Sequence, residues 1–164
     1  RHNLFVPARG GIGEAITVQA NSVSARMAAK ANGNHRALYV PEQLSLASYN
    51  SILNEPSIQE VLNLISEANC VIHSIGRALH MAARRKMTEK ELVMLKQANA
   101  VAESFGYFFN EKGEVVYKVT RIGIELQELA KVPIIMAIAG GKSKAKAIRA
   151  YMKNAPKQTL LITD

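Results

Sequence analysis

The stretch Ile134-Ile135-Met136-Ala137-Ile138-Ala139-Gly140-Gly141-Lys142-Ser143-Lys144 carries the plainest chemical signal in the chain. An apolar run stops on a glycine pair and restarts as a basic, alanine-rich segment, the pattern of a buried strand, a tight turn and a helix N-terminus. Such a turn offers backbone N–H groups and the positive end of a helix dipole to an anion, so phosphate or carboxylate is the ligand chemistry it suits. The same residues would also form a strand-to-helix turn that binds nothing. The stretch is not a nucleotide-triphosphate loop, which would need glycine where Met136 stands, and Gly11-Ile12-Gly13 is not a dinucleotide fingerprint, because Ile16 occupies the third glycine position.

Ligands of open α/β sheets collect beyond the carboxyl ends of the strands, and the residues there are polar in this chain. Leu4-Phe5-Val6 runs into Pro7-Ala8-Arg9-Gly10-Gly11-Ile12-Gly13-Glu14, where three glycines allow close backbone approach and Arg9 can offer a two-pronged fork to a phosphate. A surface loop with a solvated arginine fits equally well. Gln19 and Asn21 stand at the start of a helix, and Gln19 could donate to a sugar hydroxyl or simply face water. His80 and Arg84, four residues apart, share a helix face. Glu103, inside the small, apolar Ala98-Asn99-Ala100-Val101-Ala102 environment, must be paired with an arginine such as Arg84 or accept hydroxyl groups from a ligand. His73 and His80 lack further ligands at metal spacing, and no metal site is expected.

The elements that must position these residues follow from composition and patterning. With 164 residues, 48% of them hydrophobic, the chain makes one domain or a large part of one. Apolar runs such as Ile134–Ala139 fall far short of the roughly 20 residues of a membrane helix, no signal-peptide pattern opens the chain, and a cytosolic location is expected. The single cysteine, Cys70, opens an apolar run and reads as core, with a catalytic thiol as the sharper alternative; no disulfide or thiolate metal framework is possible. Lysine and arginine exceed aspartate and glutamate by 21 to 13, a net charge of +8 that favours an anionic partner. Lys142, Lys144, Lys146, Arg149 and Lys153 read as solvated helix-face charges, whereas Arg84-Arg85-Lys86 is a compact cluster. No recognition-helix, zinc or basic-aromatic pattern points to direct nucleic-acid binding.

Short apolar or β-branched runs at Leu4–Val6, Ala37–Val40, Cys70–Ile75, Val115–Val119, Ile134–Ala139 and Thr159–Thr163 are expected as strands separated by helices. That alternation predicts an α/β fold, a mostly parallel Rossmann-like sheet flanked by helices. Expected helices run from Ile16 to Lys30 with Gly33 as C-terminal cap, from Ser57 to Ala68 with a Ser57–Glu60 capping box, and from Thr88 to Ala98 with a Thr88–Glu91 box. Asn110-Glu111-Lys112-Gly113 between two aromatic and β-branched runs marks an antiparallel hairpin. Leu4-Phe5-Val6 and Leu160-Leu161-Ile162 put buried-type strands within a few residues of both ends, so residues 1–164 are expected to be part of a larger fold, incomplete at both ends.

Phe5-Val6-Pro7-Ala8-Arg9-Gly10-Gly11, Gln19-Ala20-Asn21, Gly106-Tyr107-Phe108-Phe109-Asn110 and Ala139-Gly140-Gly141-Lys142-Ser143-Lys144-Ala145 together resemble the effector-binding domain of SorC/DeoR-type bacterial repressors, over essentially the whole chain. The resemblance implies a fold like ribose-5-phosphate isomerase and glucosamine-6-phosphate deaminase, retained without catalysis. It implies a DNA-binding domain on the N-terminal side, absent from these residues, through which operator DNA is bound, and assembly as a homo-oligomer, dimer or tetramer. Among members that govern glycolytic genes, where the likeness is strongest, the implied effector is fructose 1,6-bisphosphate or a related sugar phosphate. The family's sugar-phosphate contacts fall on Arg9, Gln19, Arg84, Glu103 and Lys144, with Gly141 and Ser143 in the same turn as Lys144. By that reading the basic residues neutralise phosphates, while Gln19 and Glu103 read hydroxyls. Choosing Arg84 over adjacent Arg85 depends on register with the family. The family's other phosphate loop, a Gly-Gly-Thr-Thr-like turn, lies upstream of the first residue and has no counterpart here. A sugar-phosphate isomerase or deaminase on the same architecture is the alternative, with Glu103 the one visible general base.

Overall fold

The computed structural model describes residues 3–11 and 18–164. In chain order its elements are β1 (Leu4–Phe5), α1 (Ala20–Lys30), β2 (Asn34–His35), α2 (Leu46–Leu53), α3 (Pro56–Ser66), β3 (Cys70–His73), β4 (Gly76–Arg77), α4 (Ala78–Arg84), α5 (Glu89–Gln97), β5 (Ala100–Ser104), β6 (Tyr107–Asn110), β7 (Val115–Lys118), α6 (Leu126–Leu129), β8 (Ile134–Ile138), a single 3-10 turn at Lys142–Lys144, α7 (Ala145–Lys153) and β9 (Thr159–Ile162). The chain divides into two units, Arg1–Ala68 with Thr120–Lys131, and Asn69–Val119 with Val132–Asp164. No helix among the described residues is long and apolar enough to cross a membrane.

In the first unit β1 and β2 pair in parallel, with α1 as the crossover. The expected helix start at Ile16 lies outside the described residues; the described part of α1 opens at Ala20. Its end differs from the expected glycine cap. Asn32, not Gly33, takes the left-handed conformation at φ 50°, while the Gly33 N–H reaches back to the Ala28 carbonyl at 2.8 Å. Gly33 is needed for a different reason, since a Cβ there would lie 2.5 Å from the Asn3 carbonyl oxygen.

Ala37–Val40 is not a strand. Leu38 and Val40 are fully buried, which is what made the run look like one, but the Leu38 backbone pairs with a side chain. The Asn21 amide donates to the Leu38 carbonyl at 3.0 Å and accepts from the Leu38 N–H at 2.9 Å, standing in for a neighbouring strand. The Ser57–Glu60 capping box does not form either. Pro56, with no N–H to lose and φ already helical, occupies the first turn, so Glu55 is the N-cap and Ser57 lies inside α3. Ile58, Val61 and Ile65, spaced by three and four residues, are the buried face of that helix.

The second unit holds two sheets. β3, β8 and β9 are parallel, and β4, β5, β6 and β7 form an antiparallel meander. The fold is therefore mixed α/β rather than mostly parallel, and the anticipated hairpin excursion is a four-stranded sheet. The β6–β7 turn is as expected. Asn110 Oδ1 accepts the N–H groups of Lys112 and Glu114, and Gly113 takes φ +83°. The Thr88–Glu91 capping box of α5 also forms, with each side chain bonded to the other residue's backbone N–H. Between α4, α5 and the antiparallel sheet, Ala78, Ala82, Met87, Leu95, Ala100, Phe108 and Val119 make one buried cluster. Phe108 alone, with no exposed surface, contributes about 2–3 kcal/mol by burial.

The parallel sheet alternates sharply. Val71, Ile135 and Ala137 are buried on one face, while Ile72, Ile134, Ile138, Leu160 and Ile162 lie on the other, each between 42% and 59% exposed. The terminal strands are thus less buried than their composition suggested. Cys70 shares that open face and is exposed, a correction to its reading as core.

Candidate functional site

Within the second unit, β8 delivers the chain to Ala139-Gly140-Gly141, the 3-10 turn and α7, the predicted strand, glycine turn and helix start. Gly141 adopts φ +94°, ψ 136°, a conformation that side-chain-bearing residues rarely take, although open space surrounds its Cα. The Lys144 N–H donates to the Gly141 carbonyl at 2.8 Å and tightens the turn. The Gly141 N–H points outward and donates to a carboxylate oxygen, Asp164 Oδ1, at 2.7 Å. A side chain at position 140 would crowd that oxygen, at 2.8 Å from the added Cβ. Gly141, Lys142 and Ser143 are exposed and Lys144 is half-buried. The turn therefore already accepts an anionic oxygen on a backbone N–H, with lysines on either side of Ser143.

α7 is anchored by Ala147, Ile148, Ala150 and Tyr151 against the antiparallel sheet, which fixes where its N-terminal turn sits. Not all of its basic face is merely solvated. Lys146 pairs with Glu111, and the Lys153 ammonium donates to the Glu111 carbonyl at 2.8 Å.

α4 carries the basic cluster. Ala78 and Ala82 face the core, so Arg84, in the last turn, is exposed beside the negative end of the helix dipole. Arg85 turns inward. Its Nη2 donates to Glu103 Oε1 at 2.9 Å, with the two side chains only 2% and 5% exposed. Glu103 is therefore paired with Arg85 and not with Arg84, the partner considered from sequence. The same Oε1 accepts the Gly106 N–H at 2.7 Å, pinning the two-residue turn in which Phe105 and Gly106 both have positive φ, +56° and +84°. A bulky residue in that conformation is strained unless its surroundings enforce it.

Beyond β3, His73 is enclosed by Phe105 and Tyr151. The Ser104 hydroxyl donates to the Ser74 carbonyl at 2.9 Å, so its oxygen is free to accept from His73 Nδ1 at 3.0 Å, while Nε2 faces the Tyr151 hydroxyl at 3.4 Å. These bonds suit a neutral ring, and burial pushes the His73 pKa down to about 4. Burial also raises the Tyr151 hydroxyl well above its usual range. The group is packed on both ring faces and hydrogen-bonded at both ring nitrogens.

In the first unit, Arg9 pairs antiparallel with Gly123 through an isolated bridge and its guanidinium meets Glu42 Oε1 at 2.7 Å. Gly123 permits this, since a Cβ there would fall 2.6 Å from the Ala8 carbonyl oxygen. Gln19 is the N-cap residue of α1, and its side chain does not cap the helix. Gly13 and Glu14, the far end of the glycine loop, lie outside the described residues. A cavity of about 150 Å³ in this unit is lined by Tyr49, Leu53, Arg121, Glu125 and Glu128 among others. Arg121 is buried with Glu125 3.7 Å away, a cation that sequence reading missed although the four-residue spacing to Glu125 was visible. Two carboxylates to one guanidinium make that cavity a poor receptor for phosphate.

Of the residues expected to contact ligand, Gly141, Ser143 and Lys144 share one turn, Arg84 and Glu103 lie elsewhere in the same unit, and Arg9 and Gln19 belong to the first. Among the described residues no cluster of histidine, cysteine, aspartate and glutamate side chains is arranged to hold a metal.

The family model described as "Putative sugar-binding domain" matches residues 1–164. The central glycolytic genes regulators of Bacillus subtilis and Priestia megaterium are each 51% identical, over 100% and 98% of this chain and 48% and 47% of their own length. A solved SorC family transcriptional regulator from Enterococcus faecalis is 77% identical and superposes with a TM-score of 0.92, over 100% of this chain and 66% of that one. The chain thus spans about half the length of those curated relatives. It belongs to the sugar-binding domain family of SorC/DeoR-type transcriptional regulators.

Proposed function

We propose that this chain is the effector-sensing domain of a bacterial repressor of glycolytic genes and that its effector is a phosphorylated sugar, fructose 1,6-bisphosphate first among the candidates. The observation that carries the reading is the Gly140–Gly141 turn, where a carboxylate oxygen sits 2.7 Å from the Gly141 N–H beside Lys142 and Lys144. An incoming phosphate would take the place of that carboxylate, with Lys144 and Ser143 as further donors. Arg84, exposed in the last turn of α4, and Arg9 are the proposed phosphate partners outside the turn. Gln19 and Glu103 are the proposed readers of hydroxyls.

Regulation follows from differential affinity. The effector can release the operator only if it binds one arrangement of the oligomer better than another, and moving from mostly repressing to mostly released takes about 5.5 kcal/mol. Charge-assisted contacts of about 1.5–3 kcal/mol each make a few phosphate partners sufficient. The alternative, an isomerase or deaminase, requires a positioned general base, and Glu103, the one candidate visible in the sequence, already has its Oε1 bonded to Arg85 and to the Gly106 N–H and is ion-paired with a buried cation.

The test is a thermal melt of the full-length protein alone and with fructose 1,6-bisphosphate, fructose 6-phosphate or inorganic phosphate. Saturation at about a hundred times the Kd should add about 2.7 kcal/mol, several degrees in Tm. A shift selective for the bisphosphate supports the sensor and its ligand; no shift with any sugar phosphate overturns the effector assignment.

A further inference from the structure

We propose that Asp164 is a built-in competitor at the Gly140–Gly141 turn, an internal anion that every phosphate must displace, so that inorganic phosphate is kept out while a sugar carrying a second phosphate is admitted; the inference rests on the sugar-phosphate reading above. Three observations converge on it. The Gly141 N–H donates to Asp164 Oδ1 at 2.7 Å, the length of a charge-assisted bond. The sheet delivers that carboxylate. β9 pairs in parallel with β8 at Ile138 and Ile162, the Ala139 N–H donates to the Ile162 carbonyl at 3.1 Å, and the same register carried two residues on sets Asp164 beside Gly140. Residue 140 leaves the room for it, since the three atoms nearest to an added Cβ would all belong to the Asp164 carboxylate, at 2.8, 3.2 and 3.7 Å.

The contact is open to a ligand. Gly141, Lys142, Ser143 and Asp164 are all exposed, so a dissolved anion reaches the turn without any part of the core moving. Gly141 has one N–H, which cannot serve the carboxylate and a phosphate oxygen at full strength together. Two anions held at that spacing would also repel one another. Asp164 must therefore leave the turn when a phosphate enters, and the apparent affinity is reduced by the fraction of time the turn stands vacant. That factor is the same for every ligand that uses the turn. Inorganic phosphate has no other group to bind with, so the loss takes it to low occupancy. The second phosphate of a sugar bisphosphate gains contacts away from the turn, and these offset the loss. Asp164 in this way gives the turn a threshold that a lone phosphate does not cross.

Calorimetric titration of the full-length protein tests this, with fructose 1,6-bisphosphate and inorganic phosphate as the two probes, each taken to saturation. Asp164→Asn keeps the shape and removes the charge, and Asp164→Ala removes the contact. Both variants should bind both probes about three- to tenfold more tightly, by the same factor for the two, with alanine at least as strong as asparagine. The unliganded Tm should stay within a few degrees, since the bond lies at the surface. Unchanged affinity in the two variants would overturn the competitor role. So would tightening confined to one probe, or a loss for the bisphosphate alone, which would make Asp164 a reader of sugar hydroxyls instead. Absence of binding by wild type and both variants, with either probe, would overturn the sensor reading and this role with it. A wild type that binds the bisphosphate and variants that bind it no better would overturn this role alone.

Discussion

The Arg9 guanidinium lies 2.7 Å from the Glu42 carboxylate, so a residue assigned to an external phosphate already holds an internal anion. With both side chains partly exposed, the pair contributes little to stability, about 0–1 kcal/mol. Its weight would be felt in binding, since a phosphate must compete with Glu42. Glu42→Gln should therefore tighten fructose 1,6-bisphosphate binding severalfold and Arg9→Ala weaken it about tenfold or more, with both melting within a few degrees of wild type. Titration calorimetry decides it, and unchanged affinity in Arg9→Ala would remove Arg9 from the proposed contacts.

Arg84→Ala and Lys144→Ala should abolish most of the effector's stabilisation while leaving the unliganded Tm within a few degrees. Arg84 is exposed and Lys144 half-buried, and neither anchors the core. Gly141→Ala should differ in kind. A Cβ at φ +94° costs about 1–2 kcal/mol even in open space, so this variant should lose a few degrees without ligand and also lose the turn's outward N–H geometry. Differential scanning fluorimetry with and without ligand separates the two patterns.

Acid should destabilise the second unit through His73. Its pKa is about 4 in the folded state against 6.5 for the free side chain, because burial disfavours the imidazolium. The unfolded chain therefore binds more protons between those values, and stability is complete above pH 6.5 and declines as pH falls toward 4. The difference amounts to about 3 kcal/mol, discounted somewhat because the ring is not wholly shielded. Urea midpoints of wild type and His73→Phe across this range provide the check. The wild-type decline should be steeper, and parallel curves would sink the assignment.

Asn21→Ala should cost about 2–3 kcal/mol, because two hydrogen bonds vanish and the N–H of fully buried Leu38 is left with no acceptor from that side chain. Asn21→Asp keeps the acceptor and loses the donor, so it should fall between alanine and wild type. Chemical denaturation of the three proteins measures the order, and an alanine variant as stable as wild type would show that another group holds the Leu38 loop.

How much of this was readable in advance depended on how local the determinants are. The Thr88–Glu91 box, the Asn110–Gly113 turn and the Gly140–Gly141 junction are decided within a few residues, and they form as the sequence indicates. Leu38 and Val40 misled, because burial was legible but the partner was not: Asn21, 17 residues away, supplies the bonds that a strand would have supplied. Pro56 displaced the expected cap by offering a better first turn one residue earlier than Ser57. The balance of parallel and antiparallel pairing was hidden for a related reason. Ala100–Ser104 is made of small residues with little strand character, and only its pairing with Gly76–Arg77 and Tyr107–Asn110 makes it the centre of a sheet. The residues proposed to meet ligand were nameable from sequence, but the inward turn of Arg85 was not, since adjacent arginines on a helix end are distinguished only by which one faces the core.

The open face of the parallel sheet has a practical consequence. Ile72, Ile134, Ile138, Leu160 and Ile162 form a continuous greasy surface over three neighbouring strands, of the sort that parallel sheets keep covered. A sample consisting of these 164 residues alone would stick to itself, to detergent and to hydrophobic dyes through that surface. Its apparent size in solution would then report this stickiness, so any count of subunits is better made on a protein in which that surface is covered.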